Sequence, residues 1–340
     1  MIYVVFALTA ACCGAGEPQT EGLPWLKAPG LKPGDTIALI MPAGPAELAP
    51  LRKYATQIEQ AGYKVAFPAG GERKVGYLAG TDDQRADEFN SALRDPKIRA
   101  IMPVRGGYGL TRILDRIDYA ALRKDPKIIT GFSDLTAFHL AAARKARVIT
   151  FHSPMAIRDL WNNKKPYSFA AASFRRAVFA ASYPDGAVGY EIAMPEGQPT
   201  PVKLVGGKGR GRLTGGNLTL ICSTLGTPYQ IEAKGNLLFL EDTNEAPYRI
   251  DRFLSQLRLA GVLDSVNGVI LGDFTTKNPD DAKEIDRVLK DYFGKAKVPV
   301  LMRFPVGHQS HNATLPHGAN AELDADKGTL RLLENPVRLD

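Results

Sequence analysis

Lys127-Ile128-Ile129-Thr130-Gly131-Phe132-Ser133-Asp134-Leu135-Thr136-Ala137-Phe138 reads as an apolar β-branched strand, a short turn and the start of a helix that continues to Lys145. The same alternation recurs on its N-terminal side. Short apolar runs at 36–40, 63–67 and 98–104 predict strands. Segments 48–61, stopped by Gly62, and 82–93, with Phe89 and Leu93 on one face, predict helices, and 109–114 predicts a helix start. Strands alternating with helices of this length predict a parallel, doubly wound α/β sheet over about 34–160. Ligand sites in such sheets lie beyond the carboxyl ends of the strands. Loops 41–45, 105–109 and 131–134 occupy that position.

Beyond this unit the pattern weakens. Residues 161–201 carry turn signals such as Pro184-Asp185-Gly186 and Pro195-Glu196-Gly197, which predict a connector over 166–205. Gly206-Gly207-Lys208-Gly209-Arg210-Gly211 lacks the trailing Gly-Lys-Ser/Thr of a phosphate loop, so a closely packed or flexible backbone is the better reading. From residue 215 onward a helix at 218–225, strands at 236–240, 268–271 and 298–303, an amphipathic helix at 248–260 and an all-β tail at 321–333 predict a mixed α+β domain over 206–340. The N-terminal α/β domain is expected over 34–165.

The chain has 340 residues, 44% hydrophobic and 23% charged, enough for two domains that each bury a core. Its formal charge of +7 comes from scattered Lys and Arg accompanied by 36 acidic residues, a solvated surface rather than a nucleic-acid footprint. Three cysteines, Cys12, Cys13 and Cys222, make neither a disulfide framework nor a metal-binding spacing, and no cofactor motif is present. The apolar run 1–11 is too short to span a bilayer and has the look of a secretory signal within 1–22. Cys12, directly after Leu8-Thr9-Ala10-Ala11, is the expected lipidation site, although no Lys or Arg precedes the run. The expectation is a cell-envelope or periplasmic protein if the signal operates, and a cytoplasmic one otherwise.

Ser133 sits at a strand-to-helix turn, a place from which a nucleophile projects over the sheet and the helix N-terminus faces developing negative charge. The competing reading of Ser133 or Asp134 is a helix cap, and the local sequence favours the cap. Leu135 stands where an α/β-hydrolase elbow carries its last glycine. Arg105-Gly106-Gly107-Tyr108-Gly109, after another strand, offers backbone N–H groups to an oxyanion. Of the five histidines, His139 and His152 fit core positions, and His308, in a Gly- and Pro-rich loop after an apolar strand, is the best-placed general base. Leu237-Leu238-Phe239-Leu240-Glu241-Asp242 puts two carboxylates at the end of an apolar strand; either can orient an imidazole, or both can simply end the strand in solvent.

These residues, with Gly76-Tyr77-Leu78-Ala79-Gly80-Thr81-Asp82, Gly131-Phe132-Ser133-Asp134-Leu135-Thr136-Ala137, Gly215-Gly216-Asn217-Leu218 and Gly307-His308, occur in an order that resembles the LD-carboxypeptidases and the related microcin C immunity peptidases. The resemblance spans about 34–325. It implies a flavodoxin-like or Rossmann-like N-terminal domain, a smaller β-rich C-terminal domain and a site between them. It implies Ser133 as nucleophile, Glu241 and His308 completing a triad, and the N–H groups of Gly107 and Asp134 as oxyanion donors. It further implies a homodimer without metal or cofactor, cutting the L,D bond to the terminal D-Ala of murein tetrapeptides. Arg105 is a candidate for the substrate carboxylate by position only. Two alternatives stand beside this: a microcin-type peptidase acting on a peptidyl-nucleotide, with Trp161 or Tyr248 as the stacking aromatic, and a non-catalytic envelope binding protein that retains the fold.

Overall fold

The computed structural model describes residues 22–67, 73–155, 160–161, 167–183, 186–197 and 200–339. Cys12 and the rest of 1–21 lie outside them. In the first half, β1 (Thr36–Ile40), β2 (Lys64–Ala66), β3 (Ile98–Pro103), β4 (Ile128–Gly131) and β5 (Thr150–His152) form a parallel sheet in the order 2-1-3-4-5. That is the flavodoxin-like winding, whose crevice opens where the order reverses, between β1 and β3. The apolar runs end where glycine or proline begins, and α1 (Leu48–Gln60), α2 (Asp82–Arg94), α3 (Tyr119–Lys124) and α4 (Leu135–Ala146) connect them.

Helix α2 begins on a capping box, with Gln84 N donating to Thr81 Oγ1 and Thr81 N donating to Gln84 Oε1. Helix α4 has no exposed face along most of its length; Leu135 through Ala143, Thr136 and His139 included, are all buried. A helix buried on every side is covered on every side, and α4 is sandwiched between the two halves of the molecule, touching β5 on one side and β8 (Lys208–Asn217) and α6 (Leu218–Thr224) on the other.

Among the described residues the second sheet has eight strands. At its centre β8, β9 (Leu237–Thr243), β10 (Gly268–Thr275) and β11 (Val300–Met302) run parallel. Antiparallel strands flank them: β7 (Val202–Val205) beside β11, then β13 (Asn320–Asp324), β14 (Thr329–Leu332) and β6 (Tyr190–Glu191) outward from β8. Helices α7 (Pro247–Leu259) and α8 (Pro279–Phe293) pack on each other against this sheet. Gly209 and Gly211 are strand residues whose added Cβ atoms would lie 2.1 Å from Asn267 O and 2.5 Å from Gly235 O, so the glycine-rich stretch is close packing.

Several expectations need correction. The stretch 166–205 is not a mere connector: it holds α5 (Phe169–Val178), β6 and β7, and α5 buries Ala171, Phe174 and Val178 in the largest core cluster. Helix α8 was not expected, although Asn278 caps it, Pro279 opens it and Ile285, Val288, Leu289 and Phe293 form its buried stripe. The helix start at 109–114 is a pair of 3-10 turns, Leu110–Arg112 and Leu114–Arg116. The division at 206 is crossed by β12 (Leu315–His317), which leaves the second half to pair antiparallel with β5.

Gly215 and Gly216 let β8 pass close to both neighbours. An added Cβ would lie 1.9 Å from Phe239 O at Gly215, and 2.6 Å from Thr136 Oγ1 at Gly216, where φ is +124°. Thr136 Oγ1 in turn accepts the Asn217 N–H at 3.0 Å, tying α4 to β8. Gly216→Ala is therefore expected to lower stability by about 3 kcal/mol, combining backbone strain with overpacking. A urea midpoint unchanged from wild type would show that the two halves do not meet this closely.

Candidate active site

At the end of β4 the chain turns sharply. Gly131 has φ +139°, and an added Cβ there would lie 2.7 Å from Leu135 Cγ. Ser133 has φ +62°, a left-handed conformation that costs a non-glycine residue roughly 1–3 kcal/mol. Its carbonyl accepts the Thr136 N–H at 2.9 Å, which starts α4. The cap reading fails for Asp134: it occupies the cap position without a side-chain cap bond. Its carboxylate turns away and accepts the Leu110 N–H at 2.9 Å. Burial pushes the Asp134 carboxyl up to about 6, although the Leu110 and Gly109 N–H groups and the Arg85 charge oppose this.

The loop after β3 lies against this turn. A Cβ added to Gly106 would come 3.2 Å from Ser133 Cβ and 3.4 Å from its Oγ. Gly107, at φ +118°, follows within the same loop. Arg85, fully buried on α2, donates through Nη1 to Gly109 O at 2.9 Å and to Pro42 O at 2.6 Å. Glu88, one turn along, accepts the Met41 N–H at 2.9 Å. Two charged side chains on the inner face of α2 thus fix the loops after β1 and β3, while Asp134 joins the latter to the Ser133 turn. Sequence reading missed all of these. The signal was the placement of Arg85 and Glu88 on the same face as Phe89 and Ala92.

The second half supplies the other groups. Strand β9 extends through Glu241 and Asp242, both buried, so neither ends the strand in solvent. Their tasks differ. Asp242 accepts from Asn217 Nδ2, from Thr219 N and Oγ1, and from Thr243 N, all within 3.0 Å, and so organises the start of α6. Glu241 Oε2 accepts from His308 Nδ1 at 2.6 Å. Burial pushes the Glu241 carboxyl up, partly offset by His308. Burial alone would lower the His308 imidazole, but the Glu241 hydrogen bond and charge, with Asp242, outweigh it and hold it above the usual histidine value.

His308 is presented by a braced loop. Gly307 N donates to Asn312 Oδ1 at 3.1 Å, and a Cβ on Gly307 would lie 3.2 Å from the Cβ atoms of both Glu241 and Asp273. His311 Nε2 lies 3.3 Å from Asp273 Oδ2, a second imidazole and carboxylate pair holding the same loop. The His308 ring packs on Phe132, centroids 4.7 Å apart, so the imidazole from the second half stands beside the residue that precedes Ser133. His139 and His152 are core residues as expected: His139 Nε2 bonds to Gly131 O at 2.9 Å, and His152 is fully buried between Phe132 and Phe239. Arg105 is exposed at the cleft, its Nη1 donating to Pro45 O at 2.9 Å.

Comparison with known proteins agrees with this architecture. The LD-carboxypeptidase N-terminal domain is matched over residues 37–153 and its C-terminal domain over residues 210–323. The probable murein peptide carboxypeptidase of Bacillus subtilis is 36% identical over 306 residues, covering 89% of this chain and 93% of that protein. The solved structure of a muramoyltetrapeptide carboxypeptidase from Oxalobacter formigenes superposes with a TM-score of 0.71 at 28% identity, covering 87% of this chain and 97% of that one. The microcin C7 self-immunity protein MccF in its wild-type apo state gives a TM-score of 0.77 at 26% identity, over 92% of this chain and all of that one. With both domains matched in order and similarity running through nine-tenths of its length, this chain belongs to the LD-carboxypeptidase family.

Proposed function

We propose that the protein is a serine carboxypeptidase that hydrolyses the L,D bond to the terminal D-Ala of murein tetrapeptides through an acyl-enzyme on Ser133. The observation that carries this is the Glu241–His308 hydrogen bond placed, through the Phe132 contact, beside a serine held in a left-handed turn. In this reading Ser133 Oγ attacks the scissile carbonyl carbon while His308 Nε2 takes the hydroxyl proton. Glu241 holds Nδ1–H, fixing the tautomer and stabilising the imidazolium that forms. The N–H groups of Gly107 and Asp134, with the N-terminus of α4, receive the oxyanion. His308 then passes its proton to the departing D-Ala amine. Water attacks the acyl-enzyme with His308 again as base, releasing the tripeptide and restoring Ser133.

The microcin-type alternative is weakened at one of its two aromatics. Trp161 is buried, donates from Nε1 to Tyr54 OH at 2.9 Å and packs on Tyr63 and Phe179, so it is a core residue and not a nucleobase platform. The non-catalytic alternative gives no reason for a buried carboxylate to hold an imidazole beside a strained serine.

Murein tetrapeptide incubated with the protein should lose one alanine, and Ser133→Ala should lower kcat by roughly 10³-fold or more. Mass spectrometry reads both, and undiminished cleavage by the variant rules out Ser133 as nucleophile. Turnover of an aminoacyl-nucleotide with no tetrapeptide cleavage would favour the microcin-type reading.

The pH profile follows from the imidazole. His308 must be neutral to accept a proton, and its raised pKa puts the acid limb of kcat/KM above the ordinary histidine value of about 6.5. Glu241→Gln removes the charge that raises it and leaves burial, so the limb should move to lower pH while kcat falls by about 10²- to 10⁴-fold. An unmoved limb would remove His308 from the role of base.

The reading includes export, resting on the 1–22 segment and Cys12. Mass analysis of the mature N-terminus should show processing at or near Cys12, and an intact Met1 would refute it.

A further inference from the structure

The motif Gly76-Tyr77-Leu78-Ala79-Gly80 has no part in the chemistry above, yet it lines the cleft. Residues 75–78 form a tight hairpin, with Val75 N donating to Leu78 O at 2.9 Å and Leu78 N donating to Val75 O at 3.0 Å. Ala79 N donates to Ala43 O at 2.9 Å, fastening the hairpin to the loop after β1. On its other side Arg73 is pinned to α2 by an ion pair with Glu88 at 2.8 Å. Lys74, between these two anchors, is exposed.

Two cavities of about 760 and 770 Å³ meet here and share Pro45, Lys74 and Arg105 on their walls. The second also touches Gly107, Tyr77 and Tyr108 and has no acidic side chain among the described residues of its lining. Glu47 is the one carboxylate on the described wall of the first. Among the described residues neither Lys74 nor Arg105 has an acidic partner, and Arg105 is oriented by the Pro45 carbonyl. Tyr77 and Tyr108 lean on each other, centroids 5.8 Å apart, although they are 66% and 47% exposed. Gly106, next to Gly107, is the residue that meets Ser133.

We propose that Lys74 and Arg105 form a two-cation receptor for the C-terminal carboxylate of the peptide, with the Tyr77–Tyr108 pair as the wall against which the terminal residue lies. This rests on the carboxypeptidase reading above. In any such substrate only the amide nitrogen and one α-carbon separate the scissile carbonyl from the terminal carboxylate. A carbonyl held over Ser133 and Gly107 therefore delivers that carboxylate to the cavity containing Gly107, where these two cations are found. Arg105 supplies a planar, oriented fork and Lys74 a mobile point charge.

The test compares murein tetrapeptide ending in a free carboxylate with the same peptide ending in a carboxamide. Wild type should prefer the free acid in kcat/KM. Lys74→Gln and Arg105→Gln should each cut that preference by about tenfold or more, mainly through a raised KM for the free acid. Tyr108→Ala should slow both peptides without altering their ratio. Retention of the full preference in Lys74→Gln overturns the receptor, as does equal cleavage of acid and amide by wild type. Wild type cleaving neither peptide overturns the carboxypeptidase reading itself, so the two failures are distinguishable. Lys74 is exposed, and a urea midpoint unchanged from wild type in its variant serves as the folding control.

Discussion

A carboxylate with no solvent exposure accepts a hydrogen bond from an imidazole 2.6 Å away, and the arrangement of the second half of the molecule follows from making that contact possible. A buried charge needs a partner, and Glu241 has one because the 307–312 loop folds back over the carboxyl ends of β9 and β10. Gly307 fits between Glu241 and Asp273 because it has no side chain. The His311–Asp273 pair and the Asn312 side chain hold the loop down. Beyond the loop the chain runs directly into β12, which pairs with β5 in the other sheet. The loop bearing His308 is thus anchored in both sheets, and its position relative to Ser133 depends on strand pairing rather than on a flexible linker.

On the opposite side of the cleft charged groups bind backbone instead of one another's side chains alone. Arg85 and Asp134 grip neighbouring points of the 109–110 segment, one on the carbonyl of Gly109 and the other on the N–H of Leu110. The loop bearing Gly107 therefore keeps its distance from the Ser133 turn. In the proposed reaction such preorganisation serves oxyanion stabilisation, since donors already in place need not reorganise when charge develops. The left-handed serine stores strain that the buried α4 helix and the Gly131 bend sustain.

Much of this was legible in the sequence. Strands β1 to β4 and helices α1, α2 and α4 follow from apolar runs punctuated by glycine and proline, because each element buries a face of characteristic period, whereas the short α3 and β5 were not read from the sequence. His308 stood out as the best-placed base, but Ser133 read locally as a helix cap and Glu241 and Asp242 read alike, so the three were joined only by the resemblance of their motifs to those of a known family. The rest was hidden for physical reasons. Strand β12 has three residues and pairs with a strand more than 150 positions earlier, so no local pattern encodes it. Whether Glu241 or Asp242 meets the imidazole depends on Asn217 and Thr219, which claim Asp242 for α6. Trp161 looked available for stacking until Tyr63 and Phe179 enclosed it. Helix α5 was obscured by turn-forming residues on both sides of an alanine-rich segment.

The central claim is that the reaction passes through a covalent bond to Ser133. The direct measurement is to quench wild-type protein with acid during turnover of murein tetrapeptide, digest it and map the adduct by mass spectrometry. The account predicts the tripeptide acyl group on the peptide containing Gly131-Phe132-Ser133-Asp134, attached at the serine. An adduct on a different residue, or rapid turnover with no adduct at any quench time and pH, would contradict it.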